Sequence, residues 1–344
     1  MTRRLMQAMA GAKHGGAETF FVRLAGALQR GGQSQRVLIR RDPDRAAALR
    51  RAGVEVGELR FGGACDLAGR LAFRREIAAW RPDLVLTWMS RATAFCPRGA
   101  FVHAARLGGY YDLKYYRHCD HLVANTEAIA DYAVAGGWPR ERVHHLPNFV
   151  PDPRAAEPVV GPDLPARPAG APLLLALGRL HPNKGFDVLL DAVAATRELH
   201  LWLAGDGPLR ADLEARAARL GLCGRVRFLG WRADTAPLFA AADLLVCPSR
   251  VEPLGNVVIE AWAAEIPVVA SRSDGPGALI EHGENGGLVP ANDPAALAVA
   301  IEQLCRDDGL RRRLAAAGRR AYEARFTEAA IVTAYRNLFE RIAG

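Results

Sequence analysis

At 344 residues, half of them apolar, the chain is long enough for two domains of ordinary size, each with its own core. The formal net charge of +8 is uneven: residues 1–150 carry 23 Lys and Arg against 13 Asp and Glu, whereas residues 151–344 carry 22 against 24. No run reaches 18 apolar residues, which excludes a membrane-spanning helix, and the apolar core after Met1-Thr-Arg-Arg is too short for a signal peptide.

The basic half predicts an anionic surface or substrate. Aromatics are sparse there and no recognition helix or zinc-finger spacing occurs, so anionic lipid or glycan ranks ahead of nucleic acid. The six cysteines (65, 96, 119, 223, 247, 305) show no C-x-x-C pair, which fits reduced thiols in a cytoplasmic protein.

In chain order, residues 4–10 read as a strand, 17–29 as a helix and 36–40 as a second strand. Residues 45–52 and 70–80 read as helices, 84–87 and 100–103 as strands. A helix over 127–135 lies between strands at 122–124 and 143–146. Residues 147–172 contain eight prolines and little periodicity, as a linker does. Alternation then resumes with strands at 173–177, 200–204, 226–229, 244–247 and 268–270, helices at 186–195 and 208–220, and a last helix at about 328–342. This alternation predicts an α/β class of two doubly wound parallel sheets with a cleft between the halves.

The most informative segment is Cys247-Pro-Ser-Arg-Val-Glu252-Pro-Leu-Gly-Asn-Val-Val-Ile-Glu260. A buried strand, a loop and a helix beginning near Gly255 would leave the backbone N–H groups of Leu254, Gly255, Asn256 and Val257 facing an anion such as a diphosphate. Glu260 projects from the same face as Asn256, one turn on. Glu252, in the loop ahead, could reach a sugar beyond the diphosphate.

Gly178-Arg179-Leu-His-Pro-Asn-Lys184-Gly185 follows a strand directly. Ligands in open α/β sheets sit at the carboxyl ends of strands, so Arg179 and Lys184 are placed for an anion. Gly205-Asp206-Gly207-Pro208 ends another strand, with Pro208 suited to a first helical position. Arg210 stands where a dinucleotide fingerprint needs its third glycine. Gly15 and Gly16 open the first helix, where backbone can approach a phosphate.

Asp42-Pro-Asp44 matches an Asp-x-Asp metal clamp only superficially. Asp42 as N-cap and Pro43 as first helical residue explain it, and no metal is expected. His103, at the end of its predicted strand, is a candidate catalytic group. Arg106 and Tyr110, in the Gly/Tyr-rich stretch that follows, are candidates for acceptor binding. The basic helix at 70–80 carries Leu71, Phe73 and Ile77, which suits either packing on the sheet or an anionic membrane face.

On Gly15-Gly16-Ala-Glu18, Gly178-Arg179 with Lys184-Gly185, Gly205-Asp-Gly207, Glu252-x7-Glu260 and Gly283-Glu-Asn285-Gly286-Gly-Leu-Val, the chain resembles the retaining, nucleotide-sugar-dependent glycosyltransferases of family four. Residues 106–116 are similar to a subgroup among bacterial cell-surface polysaccharide and lipopolysaccharide transferases. The resemblance implies the GT-B fold, with an acceptor-binding domain at 1–150, a linker at 151–172 and a donor-binding domain at 173–325. A helix at 326–344 would pack back on the first domain.

It also implies roles. Arg179 and Lys184 would contact the diphosphate, with the glycines 178, 205 and 207 and Asp206 around them. Glu260 would hold the ribose, and Glu252 with residues 254–257 the transferred sugar. Gly16 would approach the phosphate from the other domain, and His103 would sit near the reacting sugar. The implied protein is cytoplasmic, peripheral on the membrane, and needs no cofactor or metal beyond its nucleotide-sugar co-substrate. Glu265-Ile-Pro departs from the family pattern of a small residue and glycine before the proline. A nucleotide-sugar epimerase and an inactive sugar-nucleotide-binding protein are the alternatives.

Overall fold

The computed structural model describes residues 3–13, 15–63, 65–155, 170–196, 199–232 and 234–344; most of the proline-rich linker, 156–169, lies outside the described residues. The chain divides into two compact units, Met1–Phe149 with Glu328–Gly344, and Val150–Thr327.

The first unit is a seven-stranded parallel sheet. Its strands are β1 (Leu5–Met9), β2 (Gln35–Arg40), β3 (Glu55–Leu59), β4 (Leu84–Trp88), β5 (Val102–Leu107), β6 (His121–Ala124) and β7 (Val143–His145), in the order β3-β2-β1-β4-β5-β6-β7. All five residues of β1 and of β4 are buried, as they must be where helices cover both faces. The covering helices are α1 (Gly16–Arg30), α2 (Pro43–Arg51), α3 (Leu67–Trp80), α4 (Met89–Phe95) and α5 (Glu127–Ala135). Phe20 of α1 meets Trp88 and Phe149 with ring centroids 6.0 and 5.4 Å apart.

Three expectations change here. The strand predicted at 100–103 lies at Val102–Leu107, because small residues and the buried polar His103 and Arg106 hid it from a reading of hydropathy. Strand β3 was not predicted at all; it is an edge strand with polar Glu55 and Glu58 and no apolar run. Helix α3 does not choose between sheet and solvent. Phe73 is fully buried, whereas Leu67 and Leu71 are 75 % and 50 % exposed. Asp42 does cap α2, its side chain accepting from the Arg45 N–H, with Pro43 following.

The second unit is a six-stranded parallel sheet. Its strands are β8 (Leu173–Leu177), β9 (His200–Ala204), β10 (Val226–Gly230), β11 (Leu244–Cys247), β12 (Val268–Ser271) and β13 (Gly287–Val289), in the order β10-β9-β8-β11-β12-β13. Strand order reverses between β8 and β11, which makes their carboxyl ends the switch point of the sheet. The helices are α6 (Phe186–Ala195), α7 (Arg210–Arg219), α8 (Ala236–Ala241), α9 (Asn256–Ala263), α10 (Asp274–Leu279), α11 (Pro294–Arg306) and α12 (Asp308–Arg325). Helix α7 starts at Arg210, not Pro208: Gly207 and Pro208 form a turn closed by the Arg210 N–H on the Gly207 carbonyl. The last helix, α13 (Glu328–Ile342), belongs to the first unit, where Tyr335 and Phe339 join the core beside α1.

Helix α9 ends in a Schellman motif, with the Glu265 N–H on the Trp262 carbonyl and the Ile266 N–H on the Ala261 carbonyl. Asn285 secures the same end: its carbonyl takes the Trp262 indole N–H at 3.0 Å, and its side chain takes the Glu281 N–H at 2.9 Å. Glu265 stands in the left-handed position, φ 59°, where a glycine belongs. Its carboxylate pairs with Arg154 at 2.6 Å, both side chains being nearly half exposed. Relief of left-handed strain, about 1 kcal/mol, exceeds the few tenths that such an exposed pair contributes on the order of. Glu265→Gly therefore raises the thermal unfolding midpoint, while Glu265→Ala, which loses the pair and keeps the strain, lowers it. A lower midpoint for the glycine variant would contradict this account.

Candidate active site

The loops after β8, β9 and β11 meet at the switch point, and they do so backbone to backbone. The Gly178 N–H bonds the Ala204 carbonyl at 3.0 Å, and the Leu180 N–H bonds the Asp206 carbonyl at 3.0 Å. A Cβ on Gly205, at φ 150°, would lie 1.8 Å from the Gly178 carbonyl oxygen. Gly185, left-handed at φ 63°, leaves no room either: its Cβ would meet the Pro248 oxygen at 2.2 Å. Only glycine fits these two contacts, one fixing the β8 loop to the β9 loop and the other to the β11 loop.

The β11 loop is held from both sides. The Arg250 and Val251 N–H groups bond the Asn183 carbonyl at 2.8 and 3.1 Å, and the Gly275 N–H bonds the Glu252 carbonyl at 2.7 Å. Arg250 grips Asp187 with two guanidinium nitrogens at 2.8 and 2.7 Å, and reaches Asn292 and the Pro182 carbonyl as well. Its hydrogen bonds hold the Asp187 carboxyl below the usual carboxylate range. Neither Arg250, Asp187 nor Gly275 was singled out from sequence. Arg250 lies within the informative segment and Asp187 in the first turn of α6, but only folding shows that they touch.

On this frame Lys184 and Glu252, 68 residues apart in sequence, form an ion pair through Nζ and Oε2, with side chains 23 % and 13 % exposed. The stem of Lys184 lies along Gly178, where a Cβ would be 3.4 Å from its Cε. Cys247, at the end of β11, has its thiol pushed up to about 11, first by burial and then by the Glu252 carboxylate, with Lys184 opposing. Of the groups predicted here, Gly178, Lys184, Gly205, Gly207, Glu252, Leu254 and Gly255 are brought together. Arg179 sits exposed beside them at the end of β8, and Asp206 closes the β9 turn by accepting the Gly207 N–H at 2.7 Å. Asn256, Val257 and Glu260 lie in the first turns of α9, all half-buried. One detail is corrected. The Gly255 N–H is not free for an anion, since it donates to Glu252 Oε1 at 3.3 Å.

In the first unit the predicted groups have other surroundings. His103 is the second residue of β5, at the amino end of the strand and not the carboxyl end. Its Nε2 is 2.9 Å from the Thr87 hydroxyl, and burial pushes the imidazole down to about 4, keeping it neutral. Arg106 is 3 % exposed and not an open binding group. It donates to Asn148 at 2.6 Å and lies over the rings of Phe20 and Trp88. Tyr110 is 46 % exposed, edge-on to Tyr132 at 5.4 Å. Gly15 precedes α1 without a side-chain cap, and Glu18 holds the loop ahead by accepting the Ala12 N–H at 2.7 Å.

The Arg250–Asp187 pair gives a test of the frame. Because the Asp187 carboxyl is depressed in the folded state, its contribution is complete above the unfolded value of about 3.9 and is lost as pH falls through the lower folded value. Arg250→Gln should cost roughly 1 kcal/mol in urea unfolding at pH 7, allowing for solvent screening, and much less at pH 3. A pH-independent difference would contradict the pairing.

The model of glycosyl transferases group 1 matches residues 171–307, and that of glycosyltransferase family 4 matches residues 14–154. The chain is 40% identical over 340 residues to the lipopolysaccharide core biosynthesis glycosyltransferase LpsE of Rhizobium meliloti, covering 95% of this chain and 96% of that one. LpsD of the same organism, also a lipopolysaccharide core biosynthesis glycosyltransferase, is 38% identical over 338 residues, covering 95% of each. Among solved structures, Anabaena HepE in complex with UDP superposes with a TM-score of 0.84 at 23% identity, over 99% of this chain and 100% of that one. The same protein has been solved with UDP-glucose. With two Rossmann-like units matching GT-B enzymes and a relative 40% identical over 95% of this chain, the chain belongs to glycosyltransferase family 4.

Proposed function

We propose that the protein transfers a hexose from a UDP-sugar to a hydroxyl of a lipopolysaccharide-core glycan, with retention of anomeric configuration and without a metal. The observation that carries this reading is the convergence of Lys184 and Glu252 over the glycine-built loops at the switch point of the second sheet. UDP is favoured because the solved relative HepE holds UDP and UDP-glucose. The acceptor class follows from LpsE and LpsD.

The second unit is the donor-binding part. Lys184, with exposed Arg179 beside it, neutralises charge that grows on the departing diphosphate, and Glu252 orients the hydroxyls of the transferred sugar. Glu260, one turn into α9, holds the ribose. The acceptor hydroxyl attacks on the face from which the nucleotide leaves, and the departing phosphate takes its proton. His103 has no part in this step, because it is buried and neutral at the amino end of β5. Tyr110, exposed in the loop after β5, remains the candidate for acceptor contact.

The acceptor is lipid-linked in this reading, and the protein works from the cytoplasmic face of a membrane. Among the described residues no helix is long and apolar enough to cross a membrane. Surface attachment instead falls to α3, which exposes Leu67 and Leu71 beside exposed Arg74 and Arg75 in the half that carries the excess of basic residues.

Two experiments test these points. Transfer from UDP-hexose to a core-glycan acceptor, followed by NMR of the anomeric proton, should give a retained product at full rate in excess chelator. Lys184→Ala should lower kcat by roughly 10²–10³. Activity lost to chelator and restored by Mg²⁺ or Mn²⁺, or an inverted product, would overturn the mechanism. The protein should cosediment with anionic but not neutral liposomes, and a Leu67→Ser, Leu71→Ser double variant should lose most of that binding; equal partition into both liposomes would count against attachment.

A further inference from the structure

Lys184 and Glu252, the two charged groups that face different parts of the ligand, are partners of each other. We propose that Glu252 serves as a counter-charge for Lys184 that makes the site favour an intact nucleotide-diphosphate sugar over the spent nucleoside diphosphate, and so promotes product release. The inference rests on the transferase reading and deepens it.

A diphosphate that takes Lys184 competes with Glu252 for the ammonium and weakens their pair. The carboxylate can follow the ammonium only through its own side-chain torsions, because its backbone segment is clamped. The Glu252 carbonyl takes the Gly275 N–H at 2.7 Å, and the neighbouring Arg250 and Val251 N–H groups are tied to Asn183. Gly275 is packed so closely on this segment that a Cβ would lie 2.4 Å from the Leu254 carbonyl carbon. The side chain of Glu252 is only 13 % exposed, and without Lys184 its described partner is the Gly255 N–H at a long 3.3 Å.

A sugar nucleotide supplies what is then missing, since the hydroxyls of its hexose can donate to the carboxylate. A spent nucleoside diphosphate brings the charge for Lys184 but no hydroxyl for Glu252. A sheltered carboxylate left without its partner weakens binding by about tenfold. The ion pair opposes both ligands, but the donor's hydroxyls offset the cost, so the pair acts against the product more than against the donor.

Calorimetric titration of UDP and of UDP-glucose into wild type, Glu252→Gln and Glu252→Ala tests this. Glutamine retains an acceptor for the Gly255 N–H while removing the charge, and alanine controls for any effect peculiar to the amide. Both variants should bind UDP about tenfold more tightly than wild type, whereas UDP-glucose should gain less or lose affinity. In a Lys184→Met background the gain for UDP should vanish, which separates release of Lys184 from mere removal of a repelling carboxylate. Unchanged or weaker UDP binding in both variants, or a gain that persists without Lys184, would overturn this inference alone. Failure of the wild type to bind UDP, GDP or ADP would overturn the transferase reading and this inference with it.

Discussion

Close contact of backbone with backbone at the switch point of the second sheet is the constraint on which the candidate site depends. The Gly205–Gly178 contact and the Gly185–Pro248 contact allow three loops to lie within hydrogen-bond reach of one another. A Cβ at those positions would lie 1.8 and 2.2 Å from backbone oxygens of the facing loops, so any side chain there would push the loops apart. Lys184 and Glu252 could then not pair, and a diphosphate-sized ligand would meet one loop at a time. Strand pairing β11–β8 supplies the base of this arrangement, and Arg250 on Asp187 supplies its brace.

The two units handle charge differently. In the first, Arg106 is enclosed by Phe20, Trp88 and Asn148, and His103 is kept neutral by burial. Both are enclosed by the interior, although the buried Nε of Arg106 has no hydrogen-bond partner among the described residues. In the second, Lys184 and Glu252 are partly open and satisfy each other, so a ligand can replace either partner. An ion pair that is sheltered but not sealed suits a binding site better than a buried one, because exchange does not expose an isolated charge to a fully apolar interior.

Much of this was legible in the chain. Glycine and charge spacing marked the loops after β8, β9 and β11, because a helix start and a strand end leave local signatures in sequence. The last helix falls at Glu328–Ile342, where apolar periodicity placed it. What escaped was of two kinds. Segments whose burial is not apolar were misread: β5 carries His103 and Arg106 inside the sheet, and β3 runs along an edge with two glutamates. Contacts made only by folding were invisible, among them Arg250 with Asp187 and Gly275 under Leu254, since nothing local marks a partner about 60 residues away or a missing side chain. Glu265 shows the converse. Its departure from the family pattern was visible in sequence, and the structure shows a glutamate held in a glycine's conformation.

Hydrogen–deuterium exchange with and without UDP tests most directly whether these loops form one nucleotide site. The account predicts slowed exchange together at residues 178–187, 205–210 and 250–260, at the carboxyl ends of β8, β9 and β11. Protection confined to other segments, or to one of the three loops alone, would contradict it.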